Sequence, residues 1–226
     1  AAKGGDFDTD AIVGDNGAAF FFEGRLYEIR STDPTYGGSD VIRAGADGDL
    51  IIGGSNLDPT AGGSDLDDVV GDRIQGEAGD DLIVADNARL LLSQGQIIGL
   101  GASGASGDWD DWGHWSDHPY DVLGVQLGDD TIGDNDVLEG GRDNDLLYGQ
   151  FGNDTAVFAG GGLGRDLFVE AGHLDSGPND PHDRLDFAMF AGPVDVDLDK
   201  THEQTINGGS TFGDVNLRLR LVSHES

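Results

Sequence analysis

Residues 131–157 read TIGDNDVLE, GGRDNDLLY, GQFGNDTAV, three nine-residue units that place Asp136, Asp145 and Asp154 nine residues apart. Each unit is a Gly-, Asp- and Asn-rich turn followed by a short apolar pair. The same spacing runs through Asp40, Asp49, Asp58 and Asp67, slips by five residues, and resumes at Asp81 in GEAGDDLIV. A second block opens at Asp130 in LGDDTI and, after Asp154, slips by three residues to Asp166 in GLGRDLFV. A fixed period with one acid and one apolar residue per unit marks a structural repeat. Each unit is too small to bury its own hydrophobe and must stack on its neighbours.

The period dictates a geometry. Two nonapeptides make one coil of two glycine turns and two short strands. The residue two after each Asp points inward, so Ile42, Ile51, Val69, Leu138 and Leu147 are expected to form a narrow core. Coils stack at the spacing of neighbouring strands, about 4.8 Å. Residues 18 apart then lie above one another: Asp40 over Asp58, Asp49 over Asp67, Asp136 over Asp154. Bare carboxylates about 5 Å apart repel by roughly 0.8 kcal/mol per pair in water and by about 3 kcal/mol at an effective dielectric of 20. A ladder of them calls for a cation.

Calcium suits such a ladder, because it accepts carboxylate and main-chain oxygens in variable number and geometry. Glycine turns bend far enough to aim carbonyls inward. Magnesium demands a stricter octahedron, and zinc wants the His or Cys ligands that these turns lack. The candidate metal residues are Asp40, Asp49, Asp58, Asp67, Asp81, Asp130, Asp136, Asp145, Asp154 and Asp166.

The units follow G-G-x-G-x-D-x-U-x, with U apolar. Over residues 37–84 and 128–169 the chain thereby resembles the RTX, or hemolysin-type calcium-binding, family. DRLDFAMFAGPVDVDL (183–198) is also similar to the strand segment that follows such repeats in large RTX proteins. The resemblance implies an all-β fold, a parallel β-roll that folds on binding several calcium ions. It also implies export, usually by a type I route, and an extracellular or cell-surface location. The chain departs from the pattern where Asp47, Asp65, Asp134 and Asp143 replace the glycine at position four, so some sites are expected to be empty or distorted.

A longer repeat is superimposed. Ile12-Val13-Gly14-Asp15-Asn16 matches Ile83-Val84-Ala85-Asp86-Asn87, 71 residues later. Phe20-Phe21 then aligns with Leu91-Leu92, Gly24 with Gly95, and Leu26-Tyr27 with Ile97-Ile98. Both copies read as strand, polar turn, strand, which predicts β-hairpin insertions. The organisation expected is a first hairpin-plus-roll unit with the start of the second hairpin at 1–98, an insertion loop at 99–127, a second roll block at 128–170, and capping strands at 171–226. In the last part DRLDFAMF (183–190), VDVDLD (194–199) and NLRLRLV (216–222) alternate as strands do. Edge or capping strands are their simplest role, since stacked repeats need covered ends.

Composition bounds the function. The 226 residues carry 44 acids against 12 bases, a net charge of −32. That excludes a general nucleic-acid binder, which needs a basic surface. There are no cysteines, so disulfides and thiolate metal sites are absent. No apolar run approaches the roughly 18–20 residues of a membrane span, and no signal peptide is visible. A mature product or a fragment of something longer is the expectation.

GDWDDWGHWSDHPYD (107–121) holds all three tryptophans. Trp109, Trp112 and Trp115 would stack on sugar rings or dock a partner, and His114 and His118 would share a metal with Asp117. The plainer reading is a loop that folds its aromatics over the roll. No H-E-x-x-H, G-x-S-x-G or phosphate-binding loop is present, and no catalytic set stands out. The function expected is non-enzymatic: an extracellular calcium-binding structural or adhesive segment of a larger secreted protein. Its partners would be calcium, copies of itself and surface glycans, with no nucleic acid and no membrane insertion. The alternatives are the RTX tail of a type I-secreted enzyme, or a carbohydrate-binding module acting through the Trp loop.

Overall fold

The computed structural model describes residues 10–33, 36–54, 70–93, 121–127, 135–150, 152–170, 183–197, 204–206 and 217–223. These residues form strands and no helix: β1 (Ala11–Val13), β2 (Gly17–Phe22), β3 (Arg25–Ser31), β4 (Val41–Ala46), β5 (Leu50–Ile52), β6 (Val70–Ala78), β7 (Leu82–Val84) and β8 (Ala88–Ser93). The chain continues with β9 (Asp121–Leu127), β10 (Asn135–Arg142), β11 (Leu146–Tyr148), β12 (Thr155–Val157), β13 (Arg165–Glu170), β14 (Arg184–Asp186), β15 (Gln204–Thr205) and β16 (Arg218–Ser223). The fold is all-β, and no helix crosses a membrane among the described residues.

The strands make three sheets. One has the order β1-β5-β7-β11-β13-β16-β15, a second β14-β12-β10-β6-β4, and a third β2-β3-β8-β9. Pairing is parallel throughout the five-stranded sheet. It is also parallel in the seven-stranded sheet except where β15 meets β16. The chain crosses back and forth between these two sheets. β4 leads to β5, β6 to β7, β10 to β11 and β12 to β13, so each crossing adds one rung.

Two apolar layers follow from the sequence. Between the two parallel sheets lie Ile42, Ile51, Ile74, Ile83, Leu138, Leu147, Ala156 and Phe168. Ile42, Ile51, Leu138 and Leu147 are thus buried where the repeat predicts, and Val69 lies outside the described residues. The second layer explains why β5, β7 and β11 read Leu-Ile-Ile, Leu-Ile-Val and Leu-Leu-Tyr, apolar at all three positions. Their outward residues Leu50, Ile52, Leu82, Val84, Leu146 and Tyr148 pack against Leu26, Ile29, Ala88, Leu90 and Leu92 of the antiparallel sheet. The antiparallel sheet therefore lies back over the seven-stranded one. Continuous apolar runs are what strands buried on both faces require.

The first hairpin is β2–β3, closed at Glu23 and Gly24, both at positive φ (51° and 79°). Such a two-residue turn matches the twist of the flanking strands. The second arm differs from expectation. β8 pairs with β9, residues 121–127, a stretch expected to close the insertion loop. Ile97-Ile98 lie outside the described residues.

Crossings from the five-stranded to the seven-stranded sheet repeat one backbone device. Two positive-φ residues recur two positions apart: Gly45 and Asp47, Glu77 and Gly79, Gly141 and Asp143, Gly162 and Gly164. Asp47 and Asp143 therefore do the backbone work of glycine, since Asp visits this region more readily than most residues. Their presence at position four does not distort the turn. Successive turns also touch. A Cβ added at Gly141 would run into the main chain of Glu77, and one at Gly164 into that of Asp143.

Two expectations change at the C-terminal end and in register. β14 and β16 form, but residues 194–197, expected as a strand, run without strand pairing and place Val196 against the inter-sheet core. Asp40 stacks on Asp72 and Asp49 on Asp81, each 32 residues on; Asp58 and Asp67, the partners an 18-residue period expects, lie outside the described residues. The rung is set by where the chain re-enters the same sheet. Across β4–β6 and β5–β7 it does so 32 residues on, where the repeat expects 18.

Glu77 is the strained member of this set, at φ 83° where the other rungs place glycine. Such strain costs on the order of 1 kcal/mol. Glu77→Gly is expected to raise folding stability by about that amount. A urea unfolding midpoint that falls instead would show that the Glu77 side chain compensates for its backbone.

Candidate metal centre

Each parallel sheet carries its own line of aspartates, Asp10 to Asp166 and Asp40 to Asp183, each just before its strand or within the strand's first three residues. In the seven-stranded sheet the main-chain N–H of Asp10 donates to Asp49 Oδ1 (2.7 Å), Asp49 to Asp81 (2.8 Å), Asp81 to Asp145 (3.0 Å) and Asp145 to Asp166 (3.1 Å). In the five-stranded sheet Asp40 donates to Asp72 Oδ1 (2.7 Å), Asp72 to Asp136 (2.5 Å), Asp136 to Asp154 (2.8 Å) and Asp154 to Asp183 (3.0 Å). The carboxylate is thus a fastener between rungs. Hydrogen bonds with an ionised acceptor are about twice as strong as neutral ones.

A second line runs beside the first in the opposite sense. Asn144 donates from its main chain to Asp80 Oδ1 (2.9 Å), Arg165 to Asn144 Oδ1 (3.1 Å) and Asn153 to Asn135 Oδ1 (2.6 Å). Asn-Asp and Asp-Asp pairs recur in the sequence because adjacent residues fasten the rung in both directions.

Away from Asp10, Asp40 and Asp183 at their ends, the aspartate lines are dry. Asp49, Asp81, Asp145 and Asp154 are fully buried, and Asp72, Asp136 and Asp166 nearly so. The Oδ2 atoms of Asp49, Asp81 and Asp145 are buried without a hydrogen-bond partner. The ion pairs that Arg30 and Arg89 make with Glu28, and Arg184 with Asp186, do not reach these three residues. Space is tight as well, since a Cβ at Gly76 would collide with Asp81 Oδ2 and one at Gly140 with Asp145 Oδ2.

Such surroundings resist ionisation. Burial, ahead of all else, pushes Asp49 up to about 6, with the charges of Asp10 and Asp47 adding to it and the N–H of Asp10 opposing it. Burial, followed by the charge of Asp145, pushes Asp81 up to about 9. Burial and the neighbouring carboxylates raise Asp145 and Asp166 well above the ordinary range. Burial also raises Asp40. A stack of this kind is stable only when its charge is neutralised by protons or by cations.

The donor set fits a hard cation. It is all oxygen, with unpartnered buried carboxylate atoms on consecutive rungs and no His or Cys in either line. Among the described residues no three His, Cys, Asp or Glu side chains converge as a ready-made cage. The lines instead offer carboxylates in adjacent pairs. The cavity of about 240 Å³ on the five-stranded sheet is lined by Gln75, Glu77, Glu139, Arg142 and the 159–161 turn, away from the aspartate lines.

Of the predicted metal residues, Asp40, Asp49, Asp81, Asp136, Asp145, Asp154 and Asp166 all stand in these lines. Asp58, Asp67 and Asp130 lie outside the described residues, as do Trp109, Trp112, Trp115, His114 and His118. The structure adds Asp10, Asp72 and Asp183, which the glycine frame misses. Their signal is the bare triplet Asp-x-apolar: Asp10-Ala11-Ile12, Asp72-Arg73-Ile74 and Asp183-Arg184-Leu185. None of the protein-family models, curated proteins or solved structures compared with the chain matches it.

The raised carboxyls give a signed pH dependence. An unfolded Asp titrates near 3.8, whereas folded Asp49 and Asp81 hold their protons to about 6 and about 9. The folded chain therefore binds more protons over that window. In chelator, its stability is expected to be greatest near pH 4 and to fall as pH rises through 6 towards 9. Urea midpoints measured in chelator at about pH 5, 7 and 9 check this; a midpoint that climbs with pH contradicts it.

Proposed function

We propose that the chain is a segment of a calcium-binding parallel β-roll of the RTX kind, a structural or adhesive element of a larger secreted protein. The observation that carries this reading is the pair of buried aspartate lines, with consecutive unpartnered Oδ2 atoms at Asp49, Asp81 and Asp145. Alternation of the chain between two parallel sheets supports the roll. The nonapeptide frame supports the family resemblance.

Calcium would be held by carboxylates of adjacent rungs, Asp49 with Asp81 and Asp81 with Asp145, completed by main-chain carbonyls of the glycine turns. The ion supplies the positive charge that lets the stack stay ionised at neutral pH. Extracellular calcium modules work at roughly 10⁻⁴–10⁻³ M, which ties such a fold to the outside of the cell. There the chain would acquire stiffness only after export. Its role is mechanical and adhesive, without catalysis of its own.

Circular dichroism and thermal melts in millimolar calcium and in chelator test the reading. At pH 7.5 the expected result is loss of β structure, or a large fall in melting temperature, when calcium is removed. A folded spectrum and melting temperature unchanged by thorough chelation would sink it. Asp145→Asn separates ion from proton, since the amide keeps an oxygen for the Asp81 N–H but carries no charge. It is expected to lower stability by about 1 kcal/mol or more in calcium, and to raise it by a similar amount in chelator. Equal effects in both conditions would show that no ion sits at Asp145.

A further inference from the structure

We propose that the cavity on the outer face of the five-stranded sheet binds a small zwitterion, an α-amino acid with its ammonium and carboxylate on one carbon. None of its residues belongs to the aspartate lines, so the inference stands apart from the bound ion.

The floor of the cavity comes from the repeat. Successive residues of a strand point to opposite faces. With Ile74 and Leu138 turned into the core, Gln75, Glu77, Glu139 and Gly141 lie on the outer face. Along one row Glu77 stands between Gly45 and Gly141, so both its neighbours lack a side chain. Glycine is required at 141, where a Cβ would run into the main chain of Glu77. The result is a hollow of about 240 Å³, walled by Arg142 and by the turn at residues 159–161. That turn is pinned. Gly160 donates its N–H to Met189 O (2.9 Å) and its carbonyl accepts from the Ala191 N–H (2.7 Å). Beside it Phe158 stacks on Phe187, with 5.0 Å between ring centroids. The hollow is therefore preformed, as small-ligand sites largely are.

Three charged groups line it. Glu77 holds φ 83° where the matching residues of other rungs are Gly45, Gly141 and Gly162. Strain of this kind clusters where a side chain serves a ligand. Its carboxylate makes no hydrogen bond or ion pair among the described residues that would otherwise account for its retention. Glu139 is held in place. Arg43 Nε donates to Gln75 Oε1 (2.8 Å) and Gln75 Nε2 to Glu139 Oε2 (2.5 Å), a chain across three rungs that grips the carboxylate by one oxygen. Arg142 is the third. In a chain of 12 bases and 44 acids, its guanidinium has no ion-pair partner among the described residues.

This charge set specifies the ligand. An ammonium placed between Glu77 and Glu139 satisfies both acids, and a carboxylate pairs with the planar fork of Arg142. A simple cation would meet the guanidinium and an anion the two carboxylates, so neither uses the whole set. A sugar ring would want an aromatic face, and none lines the hollow.

The test titrates the full chain with L-alanine, ethylamine and propionate, read by NMR saturation transfer in calcium. Circular dichroism in the same buffer establishes that the chain and each variant are folded. Ethylamine is L-alanine without its carboxylate, and propionate is L-alanine without its ammonium. Saturable binding of L-alanine is expected, with each of the other two at least about ten-fold weaker, because each loses a charge-assisted contact. Glu77→Gly, Glu77→Gln and Arg142→Gln should each weaken L-alanine by a similar factor. Glu77→Gly is the sharpest of these, since the same change relieves backbone strain, and binding lost from a more stable protein is not lost through misfolding. Absence of L-alanine binding to the folded chain overturns the proposal. So does ethylamine or propionate binding as tightly as L-alanine, or an unchanged L-alanine affinity in any of the three folded variants.

Discussion

Everything in this molecule hangs on one bond, the main-chain N–H of one aspartate entering the carboxylate of the aspartate on the next rung. Strand pairing alone holds three-residue strands such as β5, β7 and β11 only weakly, because each offers few ladder bonds. The carboxylate adds one charge-assisted bond per rung at the point where the strand begins, and so fixes the register. The same bond creates the molecule's central difficulty. It requires the acid to be buried, and burial stacks like charges a strand's spacing apart. The interaction that orders the rungs therefore also requires a neutralising proton or cation.

The neighbouring line of Asn and Asp side chains makes that register harder to lose. Asp81 fastens forward to Asp145, while Asn144 fastens back to Asp80. A one-residue slip would detach both and turn Ile83 and Leu147 out of the core. Two weak local preferences thus agree with the apolar packing, which is the consistency that gives a sequence one structure.

Much of this was legible from the residues. Ile51 and Leu147 announce the core by standing two places after an Asp, and Asp136 stacks on Asp154 because 18 uninterrupted residues make one turn of the chain. The frame fails where the chain detours. Nothing near Asp40 says that its neighbour is Asp72, because the nine-residue frame carries no signal for a rung 32 residues long. Position four looked defective at Asp47 and Asp143, yet both occupy the backbone region that glycine would. The second burial layer was legible only as excess hydrophobicity. Leu50, Leu82 and Leu146 face outward from the coil and need a cover, and a nine-residue pattern cannot name the antiparallel sheet that provides it.

The distances along the chain between stacked aspartates are 18, 21, 29, 32, 39 and 64 residues, yet the bonds that join them are alike. Rung geometry is blind to what the chain does between rungs. Closing a longer loop costs little, about 0.6 kcal/mol for each doubling of its length. A hairpin, a detour or a whole extra module can therefore be spliced between β7 and β10 without disturbing the stack. Such a scaffold separates the evolution of its surface from the evolution of its core, and a lineage built on it can acquire new exposed segments by insertion alone.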